Sequence, residues 1–179
     1  MSALQMTKAT IWRNRSLGLL FALGVYLLDQ VIKGWVYYDL KLESVGQIKG
    51  VPFFDLTFMA NRGISLGLFT AGSPEERWWL VVVTGLIALF VLVWLLRERK
   101  LGDIAALALV LGGAAGNIRD RYEHGFVIDY ADLHFGSFRP FLIFNLADAA
   151  ITIGVVIILA RSLLSREKPV VATDPVPEI

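Results

Sequence analysis

Two acids stand out against their surroundings. Asp148 lies in a long apolar stretch, Phe141 to Ala160, otherwise broken only by Asn145 and Thr152. A carboxylate at membrane depth costs about 2.5 kcal/mol or more unless it is paired, protonated or wet, which makes it a functional candidate. The plainer reading is a protonated Asp bonded to a neighbouring helix. A helix starting at Phe141 would carry Asp148 roughly 10 Å below its end, with Asn145 at i−3 on the same face. Asp129 sits in Phe126-Val127-Ile128-Asp129-Tyr130, an acid flanked by apolar residues; its plainer reading is a solvated loop residue. Two carboxylates a few ångströms apart cannot both ionise cheaply, so one keeps a proton while the other can deprotonate water. Hydrolysis of a peptide by water needs that division of labour.

Further polar groups gather near these acids in sequence or type. Asp29 and Lys33 form an i,i+4 acid-before-base pair, and Asn117, Asp120 and Arg121 follow Gly112-Gly113-Ala114-Ala115-Gly116. Helix stabilisation explains the first pair and a polar helix end the second group, each as well as catalysis does. The small residues let helices approach closely. Gly63-Ile64-Ser65-Leu66-Gly67 has the G-x-S-x-G pattern of serine hydrolases, but the strand–turn–helix alternation that an elbow needs is missing. His124, Asp129, Asp132 and His134 lack any spacing that would fix them on one helix face as metal ligands.

These groups need a frame, and the composition names it. Of 179 residues, 56% are hydrophobic and 18% charged, against about 45–50% and 25% in soluble domains, and the mean hydropathy is +0.61. That is a membrane composition. A net charge of +1 gives no basic face for nucleic acid, and the absence of cysteine excludes disulfides, thiolate metal sites and Cys nucleophiles. Spans of roughly 20 apolar residues are expected at about 16–37, 78–96, 101–118 and 141–160, making an all-α membrane protein of four transmembrane helices. Residues 1–167 then form a single membrane domain, and the Pro-bearing tail 168–179 reads as disordered. Lys8, Arg13 and Arg15 precede the first apolar run as in a signal peptide, but Asp29-Gln30 follows it instead of an Ala-x-Ala-like site, so the first helix reads as uncleaved.

Lys8, Arg13, Arg15, Arg97, Arg99, Lys100, Arg161, Arg166 and Lys168 crowd the helix ends on one side, which predicts cytoplasmic termini. Trp35, Tyr37, Tyr38, Trp78 and Trp79 would form the aromatic belt of the opposite interface. Two loops, about 39–77 and 119–140, then face outward. The first alternates through Phe54, Leu56, Phe58 and Ala60, predicting a small strand-rich flap on the membrane surface; the second, with Gly125, Gly136 and Pro140, predicts at most one short amphipathic stretch. A small proton-coupled transporter using Asp29 and Asp148 is a rival reading, weakened because the polar groups cluster at one interface.

Taken together, Leu28-Asp29-Gln30 with Lys33, Asn61 with Gly63, Gly113 and Gly116-Asn117 with Asp120-Arg121, Val127-Ile128-Asp129, and Phe144-Asn145-Leu146-Ala147-Asp148 resemble the lipoprotein signal peptidases, signal peptidase II of bacterial inner membranes. The resemblance runs from the first helix to the fourth. It implies an aspartic endopeptidase with Asp129 and Asp148 as catalytic dyad, cleaving prolipoproteins just before the diacylglyceryl-modified cysteine. Asn61, Gly63, Asn117, Arg121 and Asn145 would hold substrate backbone and orient the dyad, and Asp29 and Lys33 would support the site. The flap would match the family's cradle, set on the extracytoplasmic face. No metal and no cofactor are expected, and the expected partners are prolipoprotein signal peptides and membrane lipids around a monomer, with no nucleic acid. The family's usual Asn-Thr-Gly-Ala-Ala-Phe is here Asn61-Arg62-Gly63-Ile64-Ser65-Leu66.

Overall fold

A computed structural model describes residues 7–63 and 74–164. The G-x-S-x-G pattern, the Ile64–Leu66 departure and the expected tail 168–179 therefore lie wholly or partly outside the described residues. Four long helices are apolar enough to cross a membrane: α1 (Lys8–Gly34), prolonged by a π turn at Trp35–Asp39, α3 (Pro74–Arg97), α4 (Leu101–Glu123) and α5 (Leu146–Leu164). A short α2 (Leu42–Val45) precedes strands β1 (Gln47–Val51) and β2 (Phe54–Asn61), and β3 (Val127–Leu133) lies between α4 and α5. The chain is a multi-pass membrane protein.

The helices obey lipid rather than water. Leu86, Phe90, Trp79 and Val156 are exposed on the bundle surface, because in hydrocarbon the backbone must be satisfied within each helix while apolar side chains face the solvent freely. Association then depends on close contact, and α4 supplies it. A Cβ on Gly112 would lie 2.5 Å from the carbonyl oxygen of Ala22 on α1, and one on Gly113 would lie 2.5 Å from that of Ala147 on α5. The Gly- and Ala-rich segment, the least hydrophobic-looking span after α1, is thus the most enclosed helix, packed on α1, α3 and α5. Away from the sheet the core cluster is apolar: Ala22, Val91, Leu95, Ile104, Leu107, Ala108 and Val110, with Asn14 buried at the far end of α1.

All four spans differ from the sequence expectation, the second by starting at Pro74 rather than Trp78. The first starts at Lys8, where the Thr7 side chain caps the helix by accepting from the Thr10 N–H, a polar start outside the apolar run. The third continues to Glu123, adding the polar turn that carries Asp120 and Arg121. The last begins at Leu146 instead of Phe141, because the chain bends at Pro140, Phe141 and Ile143 and Phe144 then pairs with Ala131 as an isolated bridge. Asp148 is therefore in the first turn of α5, not two turns inside it.

The flap is a three-stranded antiparallel sheet in the order β1-β2-β3. Its third strand comes from the second loop, where sequence reasoning allowed only a short amphipathic stretch. Met59 pairs with Asp129 and Asn61 with Val127. After α4, the His124 N–H returns to the Asp120 carbonyl and Gly125 turns the chain at φ +85°, a left-handed stop that favours glycine. Val36, Leu42, Ile128, Tyr130 and Ala131, with Phe58, Phe126 and Phe144 around them, seat the sheet on the end of α1.

Candidate active site

Asn145 and Asp148 cap α5 together. The Asn145 Oδ1 accepts from the Asp148 N–H at 2.9 Å, and an Asp148 carboxylate oxygen accepts from the Asn145 N–H at 3.3 Å. This is a reciprocal capping box, in which an Asn at the cap and an acid three residues on satisfy two orphan N–H groups at once. The amide of the same Asn145 reaches across and donates to Asp129 Oδ1 at 2.6 Å. One residue, fully buried, therefore joins the first turn of α5 to the middle of β3.

The remaining donors converge on the two carboxylates. Asn117, from α4, donates its Nδ2 to Asp148 Oδ1 at 2.8 Å. Asn61, at the end of β2, donates to Asp129 Oδ2 at 3.0 Å and accepts from the Gly63 N–H at 3.1 Å. Arg121, also buried, donates to the Gly63 carbonyl at 2.9 Å, and its Nε has no hydrogen-bond partner. Asp129 is 1% exposed. Burial and then the nearby charge of Asp148 raise its pKa from 3.8 to about 7, against the opposing pull of its bonds from Asn61 and Asn145 and of the Lys33 charge.

Beneath the dyad lies a sealed ionic cluster. Lys33 Nζ is 2.9 Å from Asp29 and 2.8 Å from Asp120, and all three side chains are almost fully buried. Gln30 donates to both carboxylates at 3.2 Å, a role that sequence reasoning missed although Gln30 follows Asp29 directly. Tyr130 was missed too: its hydroxyl accepts from the Leu146 N–H at 3.3 Å, and burial raises its pKa. All nine site residues singled out in the sequence thus fall in one contiguous cluster at the sheet end of the bundle.

The family model described as signal peptidase (SPase) II matches residues 21–164. The chain belongs to the signal peptidase II family. The chain is 55% identical over 151 residues to a lipoprotein signal peptidase of Sphingopyxis alaskensis, covering 84% of this chain and 87% of that protein. It is 50% identical over 161 residues to one of Rhizorhabdus wittichii, covering 90% and 94%. A solved bacterial membrane enzyme, determined in meso at 1.9 Å, superposes with a TM-score of 0.71 at 28% identity, over 85% of this chain and 95% of that one. Within this signal peptidase II frame, the imidazoles join neither acid of the dyad. His124 lies against Tyr37 and its Nε2 meets the Tyr38 hydroxyl, while His134 faces Asp55 across the sheet and Asp132 takes Arg139. His124, Asp129, Asp132 and His134 thus face different neighbours.

Proposed function

We propose that this protein is an aspartic endopeptidase that removes the signal peptide of a prolipoprotein just before its diacylglyceryl-modified cysteine. The observation that carries the reading is the Asn145 side chain, which donates to the Asp129 carboxyl and accepts from the Asp148 N–H, so that one residue ties the two acids together. Family membership supports signal peptide cleavage from prolipoproteins. The two acids support the catalytic type.

In this mechanism the dyad carries one proton, held by Asp129, whose pKa of about 7 keeps it protonated near neutrality. The Asp148 carboxylate takes a proton from a water, which attacks the scissile carbonyl carbon as Asp129 donates its proton to the carbonyl oxygen. A neutral tetrahedral diol results. It collapses when Asp129 recovers a proton from one hydroxyl while Asp148 gives its proton to the leaving nitrogen, so that the C–N bond breaks and the dyad returns to its starting charge. Asn61, Asn117 and Asn145 orient the carboxylates, Gly63 anchors Arg121, and the Arg121 guanidinium, with its unpaired Nε, is suited to hold a substrate carbonyl.

The proposed setting is the bacterial inner membrane, with the sheet extracytoplasmic and both termini cytoplasmic, the protein acting as a monomer amid membrane lipids and without metal or cofactor. Lys8, Arg13, Arg15, Arg97, Arg99, Lys100 and Arg161 all stand at the end away from the sheet, which supports this orientation. Among the described residues, the buried cluster on that side is apolar, which weighs against proton transport. The test is a gel-shift assay with purified protein and a diacylglyceryl-modified prolipoprotein. Wild-type cleavage with none by Asp148→Asn or Asp129→Asn is expected; turnover by either variant would sink the dyad.

A further inference from the structure

Lys33 has three N–H bonds and three partners. Its Nζ meets Asp29 Oδ2 at 2.9 Å, Asp120 Oδ2 at 2.8 Å and Asn117 Oδ1 at 3.0 Å, and the residue is 1% exposed. Each partner in turn grips the dyad. Asp29 Oδ1 accepts from the N–H of Ala147, the residue before Asp148, at 3.0 Å. Asp120 Oδ2 accepts from the N–H of Ile128, the residue before Asp129, at 3.1 Å. Asn117 donates directly to Asp148.

We propose that Lys33 is a positioning residue of the peptidase reaction, the common hub through which α1 sets the register of Asp129 on β3 against Asp148 on α5. The inference rests on the dyad reading given above. An ammonium only donates, so Lys33 obliges the Asn117 side chain to turn its carbonyl inward and leaves its NH2 as the group facing Asp148. Without the ammonium, the Asn117 oxygen keeps only the Asn145 amide as donor, at 3.2 Å, and the amide facing Asp148 is less firmly held. Both carboxylates that hold the backbone would also lose the cation that fixes them, and buried acids stripped of their partner seek protons or new contacts.

The hub acts on charge as well as on position. Around Asp129 stand Asp148 on α5, Lys33 and Asp29 on α1, Asp120 and Arg121 on α4, and Tyr130 beside it on β3. The Lys33 cation opposes the upward pull on the Asp129 proton affinity. Its removal therefore moves the high-pH limb of activity, where Asp129 gives up its proton, to higher pH. A residue that only held the fold together would leave that limb where it is.

The experiment measures kcat, KM and the pH profile for cleavage of a diacylglyceryl-modified prolipoprotein. Lys33→Met alone strands two buried carboxylates, so the decisive variant is Lys33→Met with Asp29→Asn and Asp120→Asn. In it the new amide oxygens can still accept from Ala147 and Ile128, and the net charge of the cluster is relieved. The expected result is a protein with a near wild-type thermal midpoint, kcat lower by about 100-fold as for a small misplacement of reacting groups, KM within about twofold, and a high-pH limb lying above that of the Asp29→Asn, Asp120→Asn variant, from which it differs only by the Lys33 cation. A folded triple variant with wild-type kcat and a limb no higher than that of the double variant would overturn the inference while leaving the peptidase intact. A wild type that does not cleave would remove the peptidase reading and the inference with it.

Discussion

Asp129 holds its proton at the expense of the fold. Its carboxyl titrates near 3.8 in an unfolded chain and near 7 in place, so between those values the folded protein keeps a proton that the unfolded chain has lost. Its contribution to stability is greatest below about pH 4 and falls as pH rises toward 7, by roughly 4 kcal/mol at the most. Asp129→Asn is therefore expected to melt above the wild type at pH 7.5 and together with it at pH 4, in thermal unfolding followed in detergent. Equal midpoints at both would refute the buried titration. The same proton sets the activity profile: cleavage should decline as pH climbs past about 7, which initial rates across pH 5–9 would register. Asn145 separates capping from chemistry. Serine is a good cap, so Asn145→Ser should keep the melting point while losing about 100-fold in kcat, the bridge to Asp129 being gone; Asn145→Ala should lose the activity and about 1 kcal/mol of stability besides. Full activity in the Ser variant would detach the amide from catalysis.

At the scale of elements, the site depends on how closely α4 lies against its neighbours. A methyl on Gly113 would meet the backbone oxygen of Ala147, next to Asp148, and a backbone atom cannot swing aside. Gly113→Ala should cost about 1–3 kcal/mol and depress cleavage through the displaced first turn of α5. Gly85 on α3 has nothing within 4 Å of a Cβ, so Gly85→Ala is the matched control and should be neutral or slightly stabilising. Thermal midpoints of the pair check this, and equal losses would mean that Gly113 matters only as a glycine. These contacts also explain what could be read from sequence. Asp29, Lys33, Asn117, Asn145 and Asp148 were legible because a membrane span tolerates few polar groups, whereas Asn61 and Gly63 were marked only by the family resemblance. The start of α5 was not, since Phe141–Phe144 is as apolar as a helix, and its bends and the bridge of Phe144 to Ala131 depend on contacts distant in sequence. Asn145-x-x-Asp148 ahead of an apolar run was a cap signal in plain sight, read instead as one helix face. Strand β3 hid for another reason: buried along Val127–Asp132, it lacks the alternation that betrays a half-exposed strand.

Over the whole molecule, charge and topology support the proposed sidedness. With no cysteine in the chain, single cysteines report position without interference. Phe138→Cys, at the exposed sheet end, should react with a membrane-impermeant maleimide in intact cells, whereas Arg99→Cys, in the α3–α4 connection held to α1 by Asn14 and Arg15, should react only after lysis. The reverse pattern would invert the proposed orientation. The sheet has a further meaning for how such a protein comes into being. β2 precedes α3 and β3 follows α4, and the bond from Asn61 to Asp129 spans 68 residues, so the strand that completes the sheet emerges only after two more helices have been made. Asp148 follows later still. A chain halfway through its synthesis thus holds neither acid of the pair, and the protease cannot act on passing signal sequences, or on itself, until its last hairpin has been delivered across the bilayer.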